Sequence, residues 1–385
     1  MTRVTTTKPR ARDTGLPFLG QTGPNNAITD VPGVLVGYET LCSHADPTLR
    51  TSDMHVQTGV TAILPRGFAK EPRPVLAGQF TLNGNGEMTG SHWIRDGGYF
   101  VGPVMLTNTH SVGAVHEGAT RWIVEHYAEA WENNHLWAMP VVAETYDGVL
   151  NDINGFHVRP EHALKAIAAA DTGSVSEGNI GGGAGMICYE YKGGTGTSSR
   201  RIEIDGENYT MGALVQANHG LRPWLTVLGT PVGATMTEDR LPDFEAERGS
   251  IICVLATNIP LSSSQLERLS RRASIGISRS GSPGGNNSGD IFMSFSTANE
   301  LELPQLSGPW RSVKQLNDEL LDPVYLAAVQ AIEEAVLNAM FAAEDTPTTR
   351  PSGKICKAID HAQLLGAMQS EGVYDPKAKS VVIED

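Results

Sequence analysis

Residues 238–257 read E-D-R-L-P-D-F-E-A-E-R-G-S-I-I-C-V-L-A-T, and the change of character at Gly249-Ser250 decides the fold. The stretch before that point is crowded with charge and broken by Pro242, in the manner of an exposed connection. From Ser250 onward the chain is almost continuously apolar, the pattern of a β-strand covered on both faces. A serine at the mouth of such a strand is held rigidly. Were the Gly249-Ser250 bond to break, Ser250 would carry a hydroxyl and a free amine, so one residue would supply a nucleophile and a nearby base. Glycine at position 249 admits backbone angles that other residues resist, which an internal acyl shift requires. The plain alternative is that Gly-Ser before a strand is only a turn.

Working outward, strand patterns recur at residues 34–36, 60–64, 75–80, 101–106, 141–145, 201–204, 209–215, 224–228, 291–296 and 380–383. A helix is expected from Ser111, with Val112, Val115, Ala119, Trp122 and Ile123 at helical spacing, and another over residues 161–170. Ser264 and Glu267 fit a capping box ahead of Leu266, Leu269, Ala273 and Ile277. Asp322-Pro323 opens the clearest helix, with a stripe of Tyr325, Val329, Ile332, Val336 and Met340. Residues 1–25 read as an irregular arm, and T-P-T-T-R-P-S-G from Thr346 reads as a polar linker to a short last helix. Strands and helices mix without strict alternation, which favours sheets stacked on one another and covered by helices, with the Ser250 strand near the middle.

The chain is long enough for one large domain or two medium ones, and its 40% apolar residues permit a substantial core. Its formal charge of −14 argues against nucleic acid or an anionic membrane as partner. No secretory signal and no segment of membrane-spanning length is read from the sequence, so the cytoplasm is the default location. Cys42, Cys188, Cys253 and Cys356 are widely spaced without a CxxC, as core thiols of a reducing compartment would be.

Several signatures begin and then fail. His116-Glu117 opens an HExxH zinc motif, but residue 120 is Thr, and no other histidine spacing suggests a metal. The glycines of residues 181–196 lack the GxxxxGK[ST] of a phosphate loop and read as tight turns. No GxSxG elbow occurs, which removes the ordinary α/β-hydrolase. What remains is a polar set at strand ends and turns: Glu144, Tyr146 and Asp147, then Asn218 and His219, then Ser288 and Asp290. Such residues mostly cap and turn the chain, yet strand ends are also where a scaffold displays catalytic groups.

These motifs, taken in order, resemble the DmpA-type aminopeptidases of peptidase family S58, the L-aminopeptidase/D-esterase enzymes and β-peptidyl aminopeptidases. The resemblance is carried by A-I-T-D-V-P-G-V at residues 27–34, L-N-G-N-G-E at 82–87, A-E-T-Y-D-G at 143–148 and K-G-G-T-G-T-S-S-R at 192–200. It continues through G-S-I-I at 249–252, N-N-S-G-D-I-F at 286–292 and F-S-T-A-N at 295–299. It implies one α/β domain over residues 1–385, a four-layer αββα sandwich shared with ornithine acetyltransferase and layered like the N-terminal-nucleophile hydrolases. It further implies self-cleavage into an α chain of residues 1–249 and a β chain of residues 250–385, assembled as a homo-oligomer, a tetramer of αβ pairs, with no metal or organic cofactor.

By that resemblance Ser250 is the nucleophile. Either its own α-amine or a relay through Ser288 and Asp290 takes the proton, and the family has Glu at the latter position in some members. Asn218 and Tyr146 match the oxyanion donors, and Glu144 the carboxylate that holds a substrate ammonium. The substrates implied are small peptides, amides or esters with a free amino terminus, of small L-residues and also D-alanyl or β-amino types. Two alternatives stay open: an acyltransferase of the ornithine acetyltransferase type, whose relatives commonly begin the new chain with Thr, and an unprocessed small-molecule-binding homologue.

Overall fold

The computed structural model describes residues 8–43, 54–241, 246–247 and 249–372. In chain order the strands and helices begin with β1 (Leu35–Cys42), β2 (Gln57–Leu64), β3 (Val75–Thr81), α1 (Ser91–Gly97), β4 (Tyr99–Phe100) and β5 (Val104–Asn108). Next come α2 (Val112–His126), α3 (Ala128–Asn133), β6 (Val141–Thr145), α4 (Pro160–Ala168), β7 (Ile187–Cys188), β8 (Tyr191–Lys192), β9 (Gly194–Ile204) and β10 (Glu207–Asn218). The chain closes with β11 (Ser250–Thr257), α5 (Ser263–Arg271), α6 (Ala273–Arg279), β12 (Ile291–Ser296), α7 (Asp322–Phe341), β13 (Thr346–Thr349), β14 (Ser352–Cys356) and α8 (His361–Ser370).

Two sheets stack. One has the order β1-β2-β5-β6 and the other β4-β3-β12-β11-β10-β9, which puts the Ser250 strand inside the larger sheet. The alternation of side chains along β11 then builds two cores. Ile251, Cys253 and Leu255 pack with α5, α6 and α7. Ile252, Val254 and Ala256 pack against Ile63, Leu106 and Ala143 of the other sheet. On the far face of that smaller sheet, Ala62 and Met105 meet Val115 of α2 and Ile167 of α4. The result is the four-layer αββα sandwich, and an apolar strand such as β11 is what its doubly covered position demands.

Several local expectations need correction. Residues 224–228 form no strand, because Arg222–Trp224 is a 3-10 turn and Val227 only bridges Thr230. Gly194 and Gly196 are not turns but belong to strand β9, which packs under α7. A Cβ on Gly196 would sit 2.0 Å from the Ala335 carbonyl, so helix and strand approach too closely for any side chain. The T-P-T-T-R-P-S-G linker is the β13–β14 hairpin. The capping box lies earlier than Ser264: Ser262 accepts from the Gln265 N–H, and Gln265 Oε1 accepts in return from the Ser262 N–H.

The α7 stripe is in fact a helix buried almost all round. It is long and apolar enough to cross a membrane (mean hydropathy 1.3), contrary to the sequence reading, and 89% of its most apolar 18 residues are buried as in a core helix. The N-terminal segment is irregular but not loose, since Leu16 and Phe18 are buried in that same core and Arg12 pairs with Glu334 at 2.7 Å. The strand expected at residues 380–383 lies outside the described residues.

Candidate active site at the mouth of the central strand

Pairing brings three chain segments to one end of the larger sheet. β10 runs antiparallel to β11 and sets Asn218 opposite Ser250, while β12 runs parallel to it, with Ile291 opposite Ile252. The end of β10, the start of β11 and the turn before β12 therefore coincide. Alternation supplies the direction. Ser250 shares a face with Ile252 and Val254, and Asn218 with Leu214, all turned toward the second sheet.

Ser250 is 6% exposed, and its Oγ accepts a 2.9 Å hydrogen bond from the Gly289 N–H. Beside it the Ser288 hydroxyl donates to Asp290 Oδ1 at 2.5 Å. The same oxygen accepts from the Ile251 N–H at 3.2 Å, so one carboxylate ties the turn to the start of β11. Asp290 Oδ2 accepts from Asn83 Nδ2 at 3.0 Å, and Asn83 Oδ1 accepts from the Asp290 N–H. The shorter aspartate thus reaches Ser288 directly. Ser250 itself rests on a backbone N–H rather than on the Ser288 hydroxyl. Burial pushes the Asp290 carboxyl up, and the bonds from Ser288, Asn83 and Ile251 pull the other way.

Asn218 is clamped: Oδ1 accepts from the Ile187 N–H at 2.8 Å, and Nδ2 donates to the Tyr146 carbonyl at 3.0 Å. That leaves the second Nδ2 hydrogen for another acceptor. The Tyr146 ring is 41% exposed, with its hydroxyl folded over Gly148. Glu144 comes from edge strand β6, which residues 86–89 flank through a Met88–Ala143 bridge. Its carboxylate accepts from the Glu87 N–H at 2.9 Å and from the Thr109 hydroxyl. Burial raises its pKa first and foremost. Gly86 lies between this carboxylate and Gly289: a Cβ there would be 3.3 Å from Glu144 Oε1 and 3.2 Å from Gly289 Cα. The two sheets therefore bring Glu144 and Tyr146 to the same end as Asn218, Ser250, Ser288 and Asp290.

A cleft of about 290 Å³ opens here, bordered by Tyr146, Val149, Asn218, Glu247, Gly249 and Arg350. A larger concavity of about 730 Å³, lined by Arg66, Tyr209, Asn258 and Lys314, sits at the other end of the strands and holds none of the candidate residues.

Two members of the polar set make no hydrogen bond to Ser250, Ser288 or Asp290 among the described residues, although His219 borders the cleft. Asp147 is buried, accepts from Asn151 Nδ2 at 3.0 Å, and burial raises its carboxyl to about 7. His219 is buried against Cys188 and Tyr189, and burial pushes its imidazole down to about 3, so it stays neutral.

Gly249 has another reason than the one expected. Its φ lies outside the left-handed region, but a Cβ would sit 1.8 Å from the Asn218 carbonyl oxygen. Close approach to β10, not backbone freedom, excludes other residues. Three groups escaped the sequence reading. The Gly289 N–H is a backbone donor and leaves no trace in residue type. Asn83 stood in the L-N-G-N-G-E motif, but only its three-dimensional bond to Asp290 gives it a task. Glu247 belongs to the stretch expected to be exposed, yet it is buried, with Oε1 accepting from the Gly220 N–H at 2.7 Å.

Comparison with known proteins agrees with this fold. The sequence signature of peptidase family S58 matches residues 26–352. The chain is 49% identical over 375 residues to a β-peptidyl aminopeptidase, BapA, of Sphingosinicella microcystinivorans, covering 94% of this chain and 92% of that one. Among solved structures it is similar to the L-aminopeptidase D-Ala-esterase/amidase of Ochrobactrum anthropi, a serine aminopeptidase with a variant of the Ntn hydrolase fold. That match has a TM-score of 0.90 and 54% identity, covering 95% of this chain and 99% of the other. A β-aminopeptidase of a Burkholderia species superposes with a TM-score of 0.86 at 43% identity, over 94% and 99% of the two chains.

Proposed function

Because the chain belongs to peptidase family S58, we propose that it is a self-processing serine aminopeptidase acting on short peptides, amides and esters with a free amino terminus. The observation that carries this reading is the convergence of Ser250, Ser288–Asp290, Asn218 and Glu144 at one end of the stacked sheets, beside a cleft. In the precursor, Ser250 Oγ attacks the Gly249 carbonyl carbon and the C–N bond breaks, leaving an ester on Ser250 and a free α-amine. Water then hydrolyses the ester. Residues 1–249 and 250–385 part as two chains, and Gly249 ends in a carboxylate.

In turnover the Glu144 carboxylate receives the substrate ammonium, a charge-assisted contact that fixes which carbonyl lies over Ser250. The hydroxyl proton passes either to the new α-amine or to the Ser288–Asp290 pair. The tetrahedral oxyanion is met by the spare Asn218 amide hydrogen and the Tyr146 hydroxyl, each worth about 3 kcal/mol by comparison with other single oxyanion donors. The leaving amine takes the proton, an acyl-enzyme forms on Ser250, and water releases the product. Four free thiols support a reducing, cytoplasmic location, and the family supports a homo-oligomer, a tetramer of αβ pairs.

Denaturing electrophoresis with N-terminal sequencing tests the first step. Two bands, one beginning at Ser250, are expected, and Ser250→Ala should give one intact band without turnover. An active protein that remains a single chain would overturn the mechanism. A panel of L-, D- and β-alanyl p-nitroanilides, with and without ornithine as competing amine, identifies the acyl acceptor. Predominant acyl-ornithine would make the protein a transferase instead.

A further inference from the structure

The cleft beside Ser250 carries one charged feature that the reaction so far leaves unused. Among the described residues, Arg350 is the one cationic side chain bordering it. Its backbone is firmly placed. Arg350 stands at the tip of the β13–β14 hairpin, where the Thr349 and Arg350 N–H groups both donate to the Val149 carbonyl, at 2.7 and 3.1 Å. The Thr349 hydroxyl adds a bond to the Leu150 carbonyl. Val149 lines the same cleft, just beyond Tyr146. The hairpin is therefore pinned to the loop that follows the site.

The guanidinium, by contrast, is underused. It makes no hydrogen bond among the described residues, and the carboxylate paired with it, Asp152, lies 3.9 Å away and also contacts His157 at 3.0 Å. The Arg350 side chain remains 42% exposed. Its five donors form a planar fork suited to a carboxylate. Glu247, the acidic neighbour in the cleft, does not compete for it. The Glu247 carboxyl is directed at the Gly220 N–H and packs against Gly285.

We propose that Arg350 is the subsite for the free C-terminal carboxylate of a dipeptide or similarly short peptide, so that Glu144 and this cleft together select substrates charged at both ends. This inference rests on the aminopeptidase reading and names its substrate class. Glu144 takes the ammonium, Ser250 the first carbonyl, and Arg350 the terminal carboxylate. The cleft of about 290 Å³ bordered by Asn218, Gly249 and Arg350 takes the part of the substrate beyond the first carbonyl, and a volume at the small end of ligand sites suits a short remainder better than a long chain. The contact is half-exposed, so its effect is moderate: about tenfold in kcat/KM, seen mainly in KM.

The test compares L-alanyl-L-alanine with its C-terminal amide as substrates of the wild type, R350Q, R350K and K354Q. The wild type is expected to favour the free acid about tenfold, R350Q to bring the ratio toward one, and R350K to fall between. K354Q removes an exposed charge from the same hairpin and should retain the wild-type ratio, which separates a specific contact from a general field. If the Arg350 variants do not fold, the wild type alone decides, because its preference for the acid must weaken as ionic strength screens the contact. A wild-type ratio of one or below, a ratio unchanged in R350Q, or a salt-independent preference would overturn the inference. In those cases hydrolysis of both peptides leaves the aminopeptidase reading standing. Failure of processed wild type to hydrolyse either peptide overturns that reading and this inference with it.

Discussion

Gly249→Ala isolates the step on which the proposed function depends. The added Cβ would lie 1.8 Å from the Asn218 carbonyl oxygen, 2.8 Å from the Asn218 carbonyl carbon and 3.0 Å from His219 Cα. All three are backbone atoms at the end of β10, so no flexible side chain can yield. To move from 1.8 Å to the 3.0 Å that real contacts require, residue 249 must retreat by about 1.2 Å. The strain of such overpacking is about 1–3 kcal/mol, too little to unfold a domain of this size. Its effect on reaction is larger, because the scissile carbonyl moves while Ser250 Oγ stays on the Gly289 N–H. Displacement on the order of 1 Å costs roughly 100-fold in a positioned reaction. The assay is the time course of precursor disappearance by denaturing electrophoresis, on soluble protein whose circular dichroism matches that of Ser250→Ala. Processing of the alanine variant at the wild-type rate would falsify the claim that Gly249 is held against β10 for cleavage.

Other perturbations follow from the same contacts. Asn83→Ala removes the side chain that bonds both the backbone N–H and the carboxylate of Asp290; kcat should fall by about 100-fold with KM nearly unchanged, and an unaltered kcat would deny Asn83 a positioning role. Glu144→Gln should raise KM about 10- to 100-fold for substrates bearing an ammonium group, measured on alanyl p-nitroanilide, because a buried charge-assisted contact is lost. Asp147 gives a stability test. Its folded carboxyl is raised from 3.8 to about 7, so the folded state holds the proton more tightly than the unfolded chain between those values. Stability from this group therefore falls as pH rises through that window and is constant above it. Asp147→Asn lacks the ionisation, so its melting temperature should gain on the wild type from pH 4 to pH 8, by up to about 4 kcal/mol in stability. A difference independent of pH would refute the assignment.

Much of this architecture was legible from short-range pattern. The run S-I-I-C-V-L-A-T announced a doubly covered strand because period-two alternation with apolar residues on both faces has one stable setting, between two layers. The helix from Asp322 was equally plain from its first turn and apolar spacing, and the ordered motifs pointed to Ser250, Asn218, Tyr146, Glu144, Ser288 and Asp290 together. The misreadings share a cause. Gly196 and Gly249 looked like turn or hinge glycines, but they are needed where another backbone comes too close, and that neighbour is distant in the chain. Thr346 to Gly353 looked like a linker because its pairing partner is itself, held on the Val149 loop.

The sequence by itself determined which residues could form the layers and which polar groups stood at their ends, since both depend on neighbours within a few positions. Only the tertiary structure decided that the end of β6, with Glu144 and the following Tyr146, lies at the same end of the stacked sheets as Ser250 and Asp290, through the Tyr146–Asn218 bond and the approach of Gly86 to both Glu144 and Gly289. It also decided that Gly289 supplies a backbone donor and that Glu247 is buried. Those outcomes depend on how the two sheets stack and on which strand ends coincide, set by packing across the whole molecule rather than by any local period.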